Sequence, residues 1–273
     1  MIRDLELYNQ TDQQLHVLSQ LLAKLSRSFV HELEDDSHTN LYFDYLGRRI
    51  LGRWIATNRG NFLPSLNLKH FRFEFLNNNQ SVIFSVPIVG HTITQIEEII
   101  AAEISKFQLD ALAFQKALHY KIPEYAFHHH SFSELSQDAL KLWQHYRQLA
   151  NSSCQLLLGH FQVEGSARIW PHHFDTGIYY ELEHLGIGFG LAMKDSLVQQ
   201  SYFYISAYPK ASVINYDQHP ANDVWQWIIS DHWKGVVLSL EAIHGKSKSD
   251  QISIINSYLI SAHNWYLKQH TNE

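Results

Sequence analysis

Two histidines and a carboxylate stand within four residues, His172-His173-Phe174-Asp175, at the end of the run Arg168-Ile169-Trp170-Pro171. The aromatic and apolar content of this run reads as a β-strand, and a strand sends successive side chains to opposite faces. His173 and Asp175 are therefore expected on one face and His172 on the other, with Trp170 and Phe174. A same-face His-x-Asp pair could share a divalent metal or a proton. Imidazole with carboxylate suits zinc, iron, nickel or manganese. A third ligand would have to come from elsewhere, with His160 and His184 as candidates. The same residues could equally hydrogen-bond neighbouring strands in a partly buried core, or serve acid/base chemistry or ligand binding. Asp175, flanked by Phe174 and Ile178, is expected to have a specific partner, because an unpaired buried carboxylate costs several kcal/mol. His173, the backbone at Thr176-Gly177 and a bound cation are the candidates.

Further along, Gly186-Ile187-Gly188-Phe189-Gly190 places glycine at alternate positions. The dinucleotide fingerprint has a different spacing and opens a helix. On a strand, alternate glycines strip one face of side chains, so that a ligand or an aromatic such as Tyr202 or Tyr204 could approach the backbone. The strand Tyr202-Phe203-Tyr204-Ile205-Ser206-Ala207-Tyr208 supplies those aromatics. His172, His173, Asp175, Tyr202, Tyr204 and Tyr208 are the candidate ligand-binding residues, and His173 and Asp175 the candidate metal ligands. Other patterns carry less. Glu181-x-x-His184 resembles a di-iron motif, but that motif needs a helix. His128-His129-His130 reads as polar loop. Gly245-Lys246-Ser247 lacks the earlier glycine of a phosphate loop, since Leu240 stands there. No Gly-x-Ser-x-Gly elbow is present. Cys154, the one cysteine, leads into an apolar stretch and reads as buried and inert.

The elements that would position these groups follow from periodicity. A helix is predicted over 11–29, capped by Thr11 and Gln14, with Leu15, Leu18, Leu22, Leu25 and Phe29 on one face. Residues 31–38 form an acidic connector. The stretch 40–56 is β-rich, and 69–76 with 81–86 reads as a hairpin about Asn77-Asn78-Asn79-Gln80. A helix over 93–107 is capped by Thr92/Gln95 or Thr94/Glu97. Another covers about 132–150, capped by Ser131 and Glu134. Strands are predicted at 166–181, 185–193, 201–208 and 235–243, and a last helix at about 250–268. Segments 168–181 and 186–193 are expected to pair antiparallel. Strands followed by helices argue for α+β with largely antiparallel sheet and helices on one face or at the edges. The chain reads as one domain that admits two similar halves, about 1–150 and 151–273.

The order Trp170-Pro171-His172-His173-Phe174-Asp175, then the glycine strand, then Tyr202 to Tyr208-Pro209, resembles an uncharacterised bacterial domain family of unknown function. In that family an aromatic, His/Phe-Asp strand precedes a Tyr-rich strand ending in Tyr-Pro. The resemblance implies no activity.

Composition sets the outer bounds. The chain has 273 residues, one cysteine, 19 histidines, 15 Phe, 14 Tyr, 7 Trp and a formal net charge of −6. An internal disulfide is excluded. No basic patch suggests nucleic-acid binding. No apolar run approaches the roughly 18–20 residues of a membrane helix, and no secretory signal is read at the N-terminus. The expected setting is bacterial and cytoplasmic. The expected function is small polar ligand binding or an unassigned reaction, with metal-assisted hydrolysis the leading class if catalytic. The alternative is a non-catalytic structural or protein-interaction module, with a homo-oligomer among its forms.

Overall fold

The computed structural model describes residues 2–210 and 213–269. The fold is α+β with antiparallel sheets, as the sequence predicts. Six α-helices are described: α1 (Ile2–Phe29), α2 (Ile93–Ser105), α3 (Ala111–Gln115), α4 (Gln137–Phe161), α5 (Leu240–Ile243) and α6 (Lys248–Lys268). The strands are β1 (Tyr42–Asp44), β2 (Arg49–Leu51), β3 (Ile55–Thr57), β4 (Gly60–Asn67), β5 (Arg72–Leu76), β6 (Val82–Pro87), β7 (Arg168–Trp170), β8 (Asp175–Glu181), β9 (Leu185–Ala192), β10 (Tyr202–Pro209), β11 (Gln226–Ile229) and β12 (Lys234–Ser239). Contacts divide the chain into two compact units. The first takes Gln10–His145 and Arg168–Phe174; the second takes the described residues of Met1–Asn9, Tyr146–Ala167 and Asp175–Glu273. Both units are discontinuous in sequence, since α1 and α4 each contribute to both and Arg168–Phe174 belongs with the earlier residues.

The first unit carries the sheet β1-β2-β4-β5-β6, with β3 paired to β4 and Ile169 of β7 bridged to Leu41. One face is apolar: Phe43, Ile50, Leu66, Phe73 and Phe75 are buried. The predicted helical stripe is buried too, through Leu15, Leu18, Leu22 and Leu25 of α1 and Ile96, Ile100 and Ile104 of α2. Thr92 and Gln95 form the capping box of α2, so the first of the two rival caps is used. The other sheet face is polar at its centre. Glu74, 1 % exposed, accepts from Asn67 Nδ2 at 2.8 Å, from Arg49 and from Arg72. Burial pushes its carboxyl up, but these three donors outweigh it and hold it low.

Three element boundaries depart from the prediction. α1 starts at Ile2, so Thr11 lies mid-helix and caps nothing. Asn9 and Asp12 beside it are polar because tertiary partners take their side chains. Asn9 Oδ1 accepts from Ser201, and Asp12 accepts from Trp143 Nε1 at 2.7 Å. α4 begins at Gln137, later than Ser131, and runs on to Phe161. Its stripe continues past the polar Asn151-Ser152-Ser153 through buried Cys154, Leu157 and Leu158. β4 was not predicted, because Pro64 and two asparagines break its alternation.

The second unit is built on the path β11-β12-β10-β9-β8. β8 and β9 pair antiparallel from Thr176↔Leu191 to Glu181↔Gly186, as expected. One sheet face holds Ile178, Tyr180, Ile187, Phe189, Phe203, Ile205, Val236 and Leu238, all buried. α6 lies on this face: Tyr258 donates to the Val236 carbonyl at 2.7 Å. From α4, Arg147 donates to Thr176 Oγ1 at 2.9 Å. His263 of α6 is 1 % exposed and stacks on Phe161 of α4 with centroids 3.8 Å apart. Neither of its ring nitrogens finds a hydrogen-bond partner among the described residues. Burial, reinforced by His160, pushes its pKa down to about 4.

Candidate functional site

The central sequence expectation, one strand through 166–181, is corrected. β7 ends at Trp170 and β8 begins at Asp175, with a turn between. Pro171 has no N–H to give a ladder. Phe174 takes φ 55, a left-handed conformation unusual for a bulky residue, and its N–H closes the turn on the Trp170 carbonyl. The parity argument that set His173 beside Asp175 therefore fails, since it held only for a continuous strand.

His172 and His173 sit in this turn, in the first unit. His173 is exposed, and its ring lies 4.4 Å from that of His172. His172 packs edge-on against Tyr120 at 5.7 Å and against Trp170 at 6.3 Å. The turn is held from below by a histidine the sequence reading did not single out. His16 of α1 is 1 % exposed and stacks on Phe174 with centroids 5.3 Å apart. Its Nε2 is 3.0 Å from the Pro171 carbonyl and its Nδ1 is 2.9 Å from the Tyr125 hydroxyl. A carbonyl only accepts, so Nε2 carries a proton, and in the neutral ring Nδ1 accepts from Tyr125. Gln20 Nε2 donates to the same carbonyl at 2.8 Å and Gln20 Oε1 accepts from Tyr120. A turn carrying a strained phenylalanine is thus tied to one helix by two side chains four residues apart. The signal available in sequence was Pro171 inside an apparent strand.

Asp175 opens β8 in the second unit. It is 8 % exposed and does have a specific partner, though none of the three anticipated. Tyr204 on β10 donates its hydroxyl to Asp175 Oδ2 at 2.6 Å. Burial, and then the Asp175 charge, raise the Tyr204 phenol well above its ordinary value. It is therefore a proton donor, not a base. β9 lies between these two strands, and the phenol crosses it because β9 offers no side chain there. Gly190 stands opposite Tyr204 on one side and Gly177 on the other. A Cβ on Gly190 would come within 2.5 Å of the Thr176 carbonyl and 2.9 Å of the Tyr204 hydroxyl. A Cβ on Gly177 would meet that hydroxyl at 2.9 Å as well. The glycine spacing is a groove for an aromatic ring, one of the two readings the sequence allowed.

Along the same face the groove opens outward. Tyr179 of β8 is 50 % exposed and Tyr208 of β10 is 51 % exposed, with ring centroids 6.1 Å apart. Beneath them run Gly186 and Gly188, and a Cβ on Gly188 would meet Ser206 Oγ at 3.4 Å and the Tyr208 ring at 3.5 Å. Ser206, buried, donates to the Tyr208 hydroxyl at 3.2 Å. At the rim Lys210 pairs with Glu181 at 2.7 Å, and that contact lowers the Glu181 carboxyl. Tyr202 stands apart from the platform: it is buried and donates to Asp195 at 2.8 Å.

Of the candidate residues, Asp175, Tyr204 and Tyr208 share one face of the second sheet. Tyr202 serves the loop before β10, and His172 and His173 belong to the first unit. His160 lies on α4 and His184 in the turn between β8 and β9, on no common element. No group of three or more His, Cys, Asp or Glu among the described residues stands together to hold a metal ion. Cys154 is buried on α4, and burial pushes its thiol up, which disfavours the nucleophilic thiolate. None of the described helices is long and apolar enough to cross a membrane. No family model, curated protein or solved structure matches the chain, so the comparisons neither assign nor exclude a family.

Proposed function

We propose that the chain binds a small polar ligand on the Tyr179–Tyr208 platform of the second sheet. One observation carries this reading: two half-exposed tyrosines stand with ring centroids 6.1 Å apart over buried glycines that let both rings lie down on the sheet. A flat ring or the apolar face of a polar molecule can pack against the exposed sides of these two rings. The hydroxyls of the two half-exposed tyrosines and the Glu181–Lys210 pair supply hydrogen-bonding groups around it. Asp175 and Tyr204 sit below as a fixed support. Exposed aromatic faces beside paired charges support binding best.

A library of small polar metabolites, screened by saturation-transfer NMR on the full chain, tests the reading. At least one compound should bind, and binding should be lost in Tyr208→Ala and in Tyr179→Ala. Retained binding in the double variant would refute it. A protein-interaction role has one observation in its favour. Val213, 91 % exposed, lines a depression of ≈ 310 Å³ together with Tyr208. Light scattering separates the two, since a self-associating surface would give a concentration-dependent mass that Val213→Asp abolishes.

A further inference from the structure

The second unit contains a cavity that neither the glycine strip nor the platform uses. It has a volume of ≈ 350 Å³ and lies between the loop before β10, the loop entering β11, and β12. That volume falls within the roughly 300–1,000 Å³ of small-molecule sites. We infer that this cavity is a separate site for a neutral, hydroxyl-rich ligand of the saccharide class.

The lining chemistry selects the ligand. Asp223 and Glu241 are carboxylates that accept hydrogen bonds. Gln200, Asn222 and Gln226 are amides that can both accept and donate. Two of the amides are half committed in an informative way. Asn222 Oδ1 accepts from the backbone N–H groups of Val224 and Trp225, at 2.7 and 3.2 Å. Gln200 Oε1 accepts from Asn9 Nδ2 and from the Ser201 N–H. The carbonyl half of each amide therefore shapes a loop, and the NH₂ half is left as a donor. The wall presents donors and acceptors side by side.

Ligand charge follows from this mixture. No Lys, Arg or His lines the cavity among the described residues, so an anion would meet two carboxylates and no counter-charge. A cation would pair with Asp223 and Glu241 but would offer the amide donors no acceptor, so it would use only half of the lining. A hydroxyl group both donates and accepts, and a row of hydroxyls matches both kinds of wall group. Trp225 adds the remaining feature. Trp225 is one of the lining residues, and its ring packs edge-on against Tyr258 of α6, with centroids 5.8 Å apart. A fixed aromatic face is what the C–H side of a pyranose ring packs against. This reading is independent of the Tyr179–Tyr208 platform.

The test uses the full chain and three kinds of probe. Methyl glycosides of common hexoses and pentoses with a set of disaccharides form the first, putrescine the second and inorganic phosphate the third. Binding is read by saturation-transfer NMR and titration calorimetry. At least one saccharide should bind. At these exposed positions, Asp223→Asn should weaken it by about tenfold, the loss of one charge-assisted hydrogen bond, and Gln226→Ala by about fivefold, the loss of a neutral one. Tyr208→Ala should leave it unchanged. The inference is overturned if no saccharide binds, if saccharide binding survives both cavity variants, or if it is lost only in Tyr208→Ala. Putrescine or phosphate binding in place of the sugars overturns it as well.

Discussion

The hydroxyl of Tyr204 and the carboxylate of Asp175 make the most informative single contact in the second unit, 2.6 Å between two groups largely withdrawn from water. Tyr204→Phe keeps the ring in its glycine groove and removes only the donor. It should cost about 1–3 kcal/mol, because a mostly buried carboxylate is left short of a partner. Asp175→Ala should cost a similar amount, and the double variant should cost less than the sum of the two. Urea unfolding of all three checks this, and strict additivity would mean that the contact is energetically idle. Sequence alone identified Asp175 as a carboxylate that needed a partner, from its apolar flanks. It could not identify the partner, because the pairing of β10 with β9 and of β9 with β8 brings residues 29 apart into contact. His16 was illegible for a related reason. On a helix, a histidine within a leucine stripe looks like any polar interruption, and its role depends on Pro171, 155 residues away.

At the scale of elements, β9 behaves as three different glycine positions. Gly190→Ala puts a methyl group against backbone, which cannot yield, and should destabilise by about 1–3 kcal/mol. Gly186→Ala meets the outer end of the half-exposed Tyr179 ring, a side chain that can swing outward where backbone cannot, so its stability should be closer to that of the parent. Gly188→Ala makes ordinary contacts and should be tolerated, but it narrows the floor beneath Tyr208. Thermal melts of the three alanine variants give the ranking, and equal losses at Gly186 and Gly190 would contradict this account. Local pattern made the sheet class, the β8–β9 hairpin and the helices α1, α2 and α6 legible, because their stripes recur at fixed periods. It misplaced the start of α1 and both ends of α4. There the polar residues Asn9, Asp12, Asn151 and Ser153 are buried, and the terminus signals they imitate are local. It missed the break at Pro171–Phe174 because aromatic content outweighed one proline.

For the molecule as a whole, His263 links stability to pH. Its folded pKa of about 4 lies below the ordinary value of 6.5, so between these limits the unfolded chain binds a proton that the folded chain refuses. Stability is thus full above about pH 6.5 and falls as pH drops toward 4, by up to about 2 kcal/mol from this residue once screening is allowed for. His263→Leu should flatten that part of the pH–stability curve, measured by urea unfolding from pH 7 to 4.5. An unchanged slope would show that His263 does not titrate in this range. The exchange of short segments between the two units bears on how the chain comes to be folded at all. Residues 2–9 are made well before their partners: Asn9 is secured by Ser201, 192 residues later, and Asp4 lies 3.4 Å from His244. At elongation speeds of about 5–20 residues per second, the leading turns of α1 wait roughly 10–40 s for their partners. During that interval Leu5 and Tyr8, both buried at the end, are uncovered on the nascent chain. This part of α1 is therefore exposed apolar surface until the strands and helices that cover it have been made.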